Sequence, residues 1–151
     1  MEKIAIIMRG VPGSGKSTIA TWFEQMGAIV CSTDNYHIVN GEYKFNAEKL
    51  GEFHRKNLEY FTEHVQKGTQ MVIVDNTNVK RKDYLSYVEE ARDNGYEVHA
   101  ITFVPQDIEK CIKRNVHKVP EEAVRRMASS LQASIENKEH EDFDKEFLVV
   151  T

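Results

Sequence analysis

Short apolar runs alternating with longer stretches of helical periodicity set the plan of this chain. Ile4-Ala5-Ile6-Ile7-Met8 is nearly unbroken in its hydrophobicity, the pattern of a central strand covered on both faces. Ala28 to Cys31, Met71 to Val74 and Val98 to Val104 read as three further strands. Thr18 to Met26 carries Ile19, Trp22, Phe23 and Met26 at helical spacing, with Gly27 as the stop. Asn46 caps a predicted helix from Ala47 to about Lys67, closed by Gly68, with Leu50, Phe53, Leu58, Phe61 and Val65 as its stripe. Lys80 to Asn94 turns Tyr84, Leu85, Val88 and Ala91 inward, and Gly95 ends it. Pro105 and Asp107 open another helix, with Ile108, Cys111 and Ile112 inward. Pro120 starts the last one, with Val124, Met127, Leu131 and Ile135 inward. Residues 36–45 show no clear period and read as a loop or a small excursion. Glu136 to Lys145 is strongly charged and reads as mobile or loosely helical, and Phe147 to Val150 is a candidate fifth strand. Strands alternating with helices predict an α/β fold with a mainly parallel sheet of four to five strands.

Bulk properties narrow the partners. The 151 residues correspond to one domain. A net charge of −4, with both signs spread along the chain, argues against a large nonspecific DNA-binding surface, which rests on neutralising many phosphates. A short nucleic acid held in a local basic groove remains compatible with it. Cys31 and Cys111 lack metal-ligand spacing and are expected as buried, reduced thiols. No stretch approaches transmembrane length and no signal peptide is visible, so the expectation is a cytoplasmic protein with no membrane partner.

The chemistry concentrates in Gly10-Val11-Pro12-Gly13-Ser14-Gly15-Lys16-Ser17, which follows the first strand and precedes the first helix. This is the G-x-x-x-x-G-K-S spacing in the strand–loop–helix context that gives it meaning. Its glycines let backbone N–H groups converge on an anion, and the helix that begins with Thr18 adds the positive end of its dipole. Lys16 is expected to reach the β- and γ-phosphates of a nucleotide, and the Ser17 hydroxyl to take a place on Mg²⁺.

Other candidates lie on the rim where ligands bind in open α/β sheets, beyond the carboxyl ends of the strands. Asp34 follows the second strand within Ser32-Thr33-Asp34-Asn35. Asp75 ends the third strand and reads either as a metal-side carboxylate, directly or through water, or as a turn residue. Asn76 and Asn78 read as donors to an acceptor or as parts of a capped turn. His54 and Asn57 are three apart on the edge of a helical stripe, as locally satisfied groups or as substrate contacts. Lys113 to Lys118 is the densest basic stretch, and Arg125 and Arg126 follow in the next helix. These cations form either a solvated face or a lid, about residues 113–126, that clamps phosphates.

The set Arg9 to Ser17, Ser32-Thr33-Asp34, Gly41-x-Tyr43-x-Phe45-Asn46, His54-x-x-Asn57, Val74 to Asn78 and Arg114-Asn115-x-His117-x-Val119-Pro120, running on to Arg126-Met127, resembles the small P-loop kinases of the polynucleotide-kinase type. Similar domains occur in animal ubiquitin-ligase-binding proteins and in the kinase half of phage polynucleotide 5′-kinase. The resemblance implies a P-loop NTPase three-layer α/β/α fold with a small helical lid, and ATP and Mg²⁺ as cofactors. It implies Asp34 as the general base for an acceptor hydroxyl, and Lys16, Arg126 and Arg114 as cations on the transferring phosphoryl group. The arginine that contacts the acceptor phosphate in the phage enzyme is replaced here by His37, a departure at the acceptor contact. The phage enzyme's phosphatase domain has no counterpart, so no 3′-phosphatase activity is expected. The expected reaction is phosphoryl transfer to a nucleic-acid or nucleotide 5′-hydroxyl. The alternatives are another small-molecule hydroxyl, such as a sugar or sugar nucleotide, and an ATP-binding switch with no acceptor.

Overall fold

The computed structural model describes residues 2–137 and 141–151. In chain order the elements are β1 (Ile4–Arg9), α1 (Lys16–Gln25), β2 (Ile29–Cys31), β3 (Ile38–Val39), β4 (Glu42–Tyr43), α2 (Leu50–Lys67), β5 (Met71–Asp75), α3 (Arg81–Asp93), β6 (Glu97–Val104), α4 (Ile108–Lys113), α5 (Glu121–Glu136) and β7 (Lys145–Val150). Five strands form one parallel sheet in the order β2-β5-β1-β6-β7. From β1 the chain goes first to the edge strand β2, returns to β5 beside β1, and then crosses to β6 and β7 on the other side. The carboxyl ends of β1 and β5 therefore lie side by side, with Met8 opposite Asp75, at the place where the winding reverses.

Alternation along β1 divides the core. Ala5 and Ile7 face a layer that includes Phe61 and Val65 of α2 and Tyr84, Tyr87, Val88 and Ala91 of α3. Ile6 and Met8 face the opposite layer, with Ala20 of α1 and the half-buried Ile19 and Phe23. This is the three-layer α/β arrangement. A third cluster joins Val11 of the loop after β1 to Cys111 of α4 and Val124 of α5. That cluster seats the glycine-rich loop on the last two helices. Both cysteines are buried and free. Among the described residues, no helix is long and apolar enough to cross a membrane.

Several expectations change in detail. Trp22 and Met26, expected inward, are 57 and 74% exposed, because Ile19, Ala20 and Phe23 already fill the layer above the sheet. The stretch 36–45 is not a plain loop: β3 and β4 pair antiparallel across Asn40-Gly41, with Gly41 at φ 81°. A short 3₁₀ turn, Ala47–Lys49, precedes α2, and the Asn46 side chain accepts from the Glu48 N–H. The charged tail is anchored where it is described. Asp142 is buried and accepts from Arg81 Nε at 2.8 Å and from the Tyr84 hydroxyl at 3.1 Å. Lys145 opens β7, which lies parallel to β6 as the fifth strand. Residues 138–140 of that tail lie outside the described residues.

Candidate active site

The loop from Gly10 to Gly15 is built to bring backbone close. Gly10 donates its N–H to the Thr77 carbonyl at 2.9 Å, and a Cβ on it would stand 2.7 Å from Ser14 Oγ. Gly13 adopts φ 81°, and its Cβ position lies 2.1 Å from the Cys111 carbonyl oxygen. Gly15, at φ 100°, precedes the first residue of α1. Left-handed turns flanking the helix start direct N–H groups inward, and the first-turn amides of α1 have no preceding turn to bond. Ser14 Oγ is buried here without a hydrogen-bond partner. Lys16 is buried and gives Nζ to the Val11 carbonyl at 3.0 Å. Burial pushes its ammonium pKa down, opposed by the charges of Asp75 and Asp34. An unpartnered hydroxyl, an ammonium resting on a carbonyl and a concave run of amides together fit an anion such as a nucleotide's phosphates.

Ser17 donates its hydroxyl to Asp75 Oδ2 at 3.2 Å. Asp75 is buried at the end of β5, and burial raises its pKa against the pull of the Lys16 charge and the Ser17 hydrogen bond. Two oxygens beside a phosphate-binding loop fit a hard divalent cation whose remaining ligands come from phosphate and water.

The segment after β5 is stitched to β1. Asn78, at φ 47°, donates Nδ2 to the Met8 carbonyl at 2.8 Å, and the buried Arg9 returns Nε to the Asn78 carbonyl at 2.8 Å. Asn76 Oδ1 accepts from the Thr33 N–H at 3.0 Å, tying the end of β5 to the turn that carries Asp34. Asp34 therefore shares one cleft with the phosphate loop. That cleft, of about 540 Å³, is lined by Pro12, Gly13, Gly15 to Thr18, Asp34, Asp75 to Thr77, Arg114 to His117, Val119 and Met127.

The basic segment reaches this cleft through a loop closed on itself. Asn115 donates Nδ2 to the Val119 carbonyl at 2.7 Å, and its Oδ1 accepts from the Val119 N–H at 3.3 Å. His117 is carried by that bracket, and Arg114 precedes it at the end of α4. Arg126 is exposed on α5 and is not among the cleft-lining residues, whereas its neighbour Met127 is. Arg125 points elsewhere and pairs with Glu109 and Glu121.

Four predicted substrate contacts sit apart from the cleft lining. Asn57 is fully buried in α2 and donates to the Tyr87 hydroxyl at 3.0 Å. Asn78 is buried in the stitch just described. His54 is exposed at the rim, with Nδ1 3.3 Å from Thr33 Oγ1. His37 is buried beside Tyr43, Phe45 and Phe53, and its Nδ1 accepts from the Asn46 N–H at 3.1 Å. Burial pushes the His37 pKa down.

Sequence reasoning gave no role to Arg9 or Tyr43 and placed Asn115 and His117 only within the lid stretch, although all four lie within its motif stretches. A second cleft, of about 720 Å³, is lined by Arg9, Arg81, Tyr84 and Asp142 among others, and these charges already bond one another or backbone carbonyls.

Comparison with known proteins agrees with this fold. Residues 6–137 match the family described as an AAA domain. Human NEDD4-binding protein 2 is 31% identical over 134 residues, 85% of this chain but 8% of that protein. The chain thus spans a small fraction of that relative's length. A chain in the structure of the Pnkp1/Rnl/Hen1 RNA repair complex superposes with a TM-score of 0.71 at 19% identity, over 89% of this chain and 46% of its own length. A gluconokinase from Sinorhizobium meliloti gives 0.56 at 20% identity, over 97% of this chain and 81% of its own. A phosphate-binding loop between β1 and α1, on a parallel sheet of order β2-β5-β1-β6-β7, is consistent with each of these matches, and the chain belongs to the AAA-domain family.

Proposed function

We propose that the chain is an ATP- and Mg²⁺-dependent phosphotransferase that moves the γ-phosphate to a hydroxyl, foremost a nucleic-acid or nucleotide 5′-hydroxyl. The observation that carries this reading is the half-exposed Asp34 carboxylate in the same cleft as Lys16, Ser17, Asp75 and Arg114. A nucleotide switch has no need of a second carboxylate there, whereas a hydroxyl acceptor needs a base within reach. The loop amides and Lys16 hold the β- and γ-phosphates, and Ser14 Oγ gains a partner. Ser17 and Asp75, directly or through water, would hold Mg²⁺, which when bound would offset the charge on the phosphoryl oxygens. Asp34 accepts the acceptor's proton and orients its oxygen for in-line attack. The phosphate leaves ADP as the new O–P bond forms. Arg114, with Arg126 from α5, supplies the remaining positive charge. The 151 residues act as one unit, with residues 113–126 as the lid, and the two buried thiols suit the reducing cytoplasm.

A sugar or sugar-nucleotide hydroxyl is the second reading. It is favoured by His37, which is turned into the β3–β4 hairpin and offers no cation to an acceptor phosphate.

The test is γ-labelled ATP with Mg²⁺ and a panel of 5′-hydroxyl DNA and RNA oligonucleotides, nucleosides and sugars, with Lys16→Ala as the blank. Label on an oligonucleotide 5′ end supports the first reading, and label on a sugar supports the second. Vigorous release of free phosphate that no hydroxyl compound alters overturns both. Loss of transfer in Asp34→Asn, with ATP affinity kept within a few-fold, supports the base assignment, and unchanged transfer removes it.

A further inference from the structure

Three separate pieces of chain meet at Asp34. The carboxylate stands on the turn after β2, Tyr43 comes from β4, and His117 comes from the α4–α5 connection. His117 Nε2 lies 3.5 Å from Asp34 Oδ2. The His117 and Tyr43 rings pack in a tilted contact, with centroids 3.9 Å apart and planes inclined by 34°. The Tyr43 hydroxyl is pushed up to about 12 by burial, by the Asp34 charge and by a hydrogen bond to Asp34. Behind Tyr43 the contact continues to His37, 5.7 Å between centroids, and from His37 to Phe53 of α2 at 4.8 Å. Tyr43 is thus backed by a helix that packs into the core.

His117 is not an independent side chain on a loose loop. The two Asn115–Val119 hydrogen bonds close residues 115–119 into a bracket that begins next to Arg114. Arg114, which ends α4, stands immediately before the bracket, and both Arg114 and His117 line the nucleotide cleft, so displacement of the connection between α4 and α5 would carry the two together.

We propose that Tyr43 and His117 are positioning residues for Asp34, and that the His117–Asp34 contact latches the basic segment down so that base and phosphate-clamping cation arrive together. The catalytic half of this inference rests on the reading of Asp34 as the base. A carboxylate held on one oxygen presents the other to the acceptor in a fixed direction. Misplacing a reacting group by about 1 Å can cost on the order of a hundredfold in rate.

Tryptic cleavage after Lys113 and Arg114, measured on the full chain with ATP and Mg²⁺, follows the fraction of molecules in which this segment is open. Asp34→Ala and His117→Phe each remove the latch, and His117→Phe keeps a ring against Tyr43. Each is expected to speed cleavage about two- to tenfold, the size of one ring or charged contact, with the melting temperature lowered by no more than about 5 °C. The double variant is expected to be cleaved no faster than the faster single one, because both changes break the same contact. Rates equal to wild type, or effects that multiply in the double variant, overturn the latch.

For positioning, His117→Phe and Tyr43→Phe are expected to lower kcat on a 5′-hydroxyl DNA oligonucleotide about ten- to a hundredfold, with KM for ATP within twofold. Unchanged kcat, or a loss confined to KM for ATP, overturns positioning. Full transfer by Asp34→Asn defeats the base assignment instead and leaves the latch to the cleavage cycle. The cycle also decides if the oligonucleotide takes no label.

Discussion

Replacing Gly13 by alanine tests how the phosphate loop is seated. The added Cβ would stand 2.1 Å from the Cys111 carbonyl oxygen and 2.9 Å from its carbonyl carbon, both backbone atoms of α4. Neither can swing aside as a side chain would, so the loop and α4 must separate. Opening a packed contact of this kind costs about 1–3 kcal/mol. Placing an L-residue at φ 81° adds about 1–2 kcal/mol. The expected loss is therefore about 2–5 kcal/mol. Gly15 is the control. It too has positive φ, at 100°, but no atom lies within 4 Å of its Cβ position, so Gly15→Ala carries only the backbone cost, about 1–2 kcal/mol. The assay is urea unfolding followed by far-UV circular dichroism without nucleotide, so that ligand binding does not contribute. In a chain of this length each kcal/mol is worth about 2–4 °C in melting temperature. A Gly13→Ala protein no less stable than Gly15→Ala, at equal m-values, refutes the proposed seating of the loop on α4.

Asp75 should make the nucleotide-free protein pH-sensitive. Its folded pKa lies above the ordinary 3.8 because burial disfavours the charged form, so ionisation costs stability that is intact below that value and is lost as pH rises through the folded one. Asp75→Asn is expected to be more stable than wild type at pH 7 and equal to it below about pH 3.8, by thermal melts across pH; equal stability at pH 7 defeats this. Asn57→Ala removes a buried donor to the Tyr87 hydroxyl and should lose about 1–3 kcal/mol by urea unfolding, with acceptor KM within twofold. A selective rise in acceptor KM would return Asn57 to the substrate contacts. Arg114→Ala should lower kcat at least about a hundredfold in single-turnover transfer, more than Arg126→Ala, because only Arg114 lines the cleft. The reverse order would mean that α5 moves inward during turnover.

The phosphate loop, the α/β alternation and the positions of Asp34 and Asp75 were legible in the sequence because each depends on residues close together in the chain. A glycine spacing dictates a turn, an apolar run dictates a buried strand, and a polar residue at a strand's end falls on the rim. Helix faces were legible only in part. Trp22 and Met26 share the period of Ile19 and Phe23, yet remain exposed because the sheet beneath α1 offers room for only part of the stripe. Periodicity marks which positions share a side, not how wide the buried side is.

The tertiary structure alone decided which polar groups meet. Asn57 and Asn78 look like functional amides in sequence, and burial assigns them to Tyr87 and to the Met8 carbonyl. His37 sits three residues after Asp34, but the short turn points it into the β3–β4 hairpin, and His117, more than eighty residues from Asp34 in the chain, takes the place beside the carboxylate. Local spacing fixes backbone conformation over a few residues. The partners of a charge depend on contacts closed across the whole chain, and those exist only once the core has brought β1, β5 and the two last helices together.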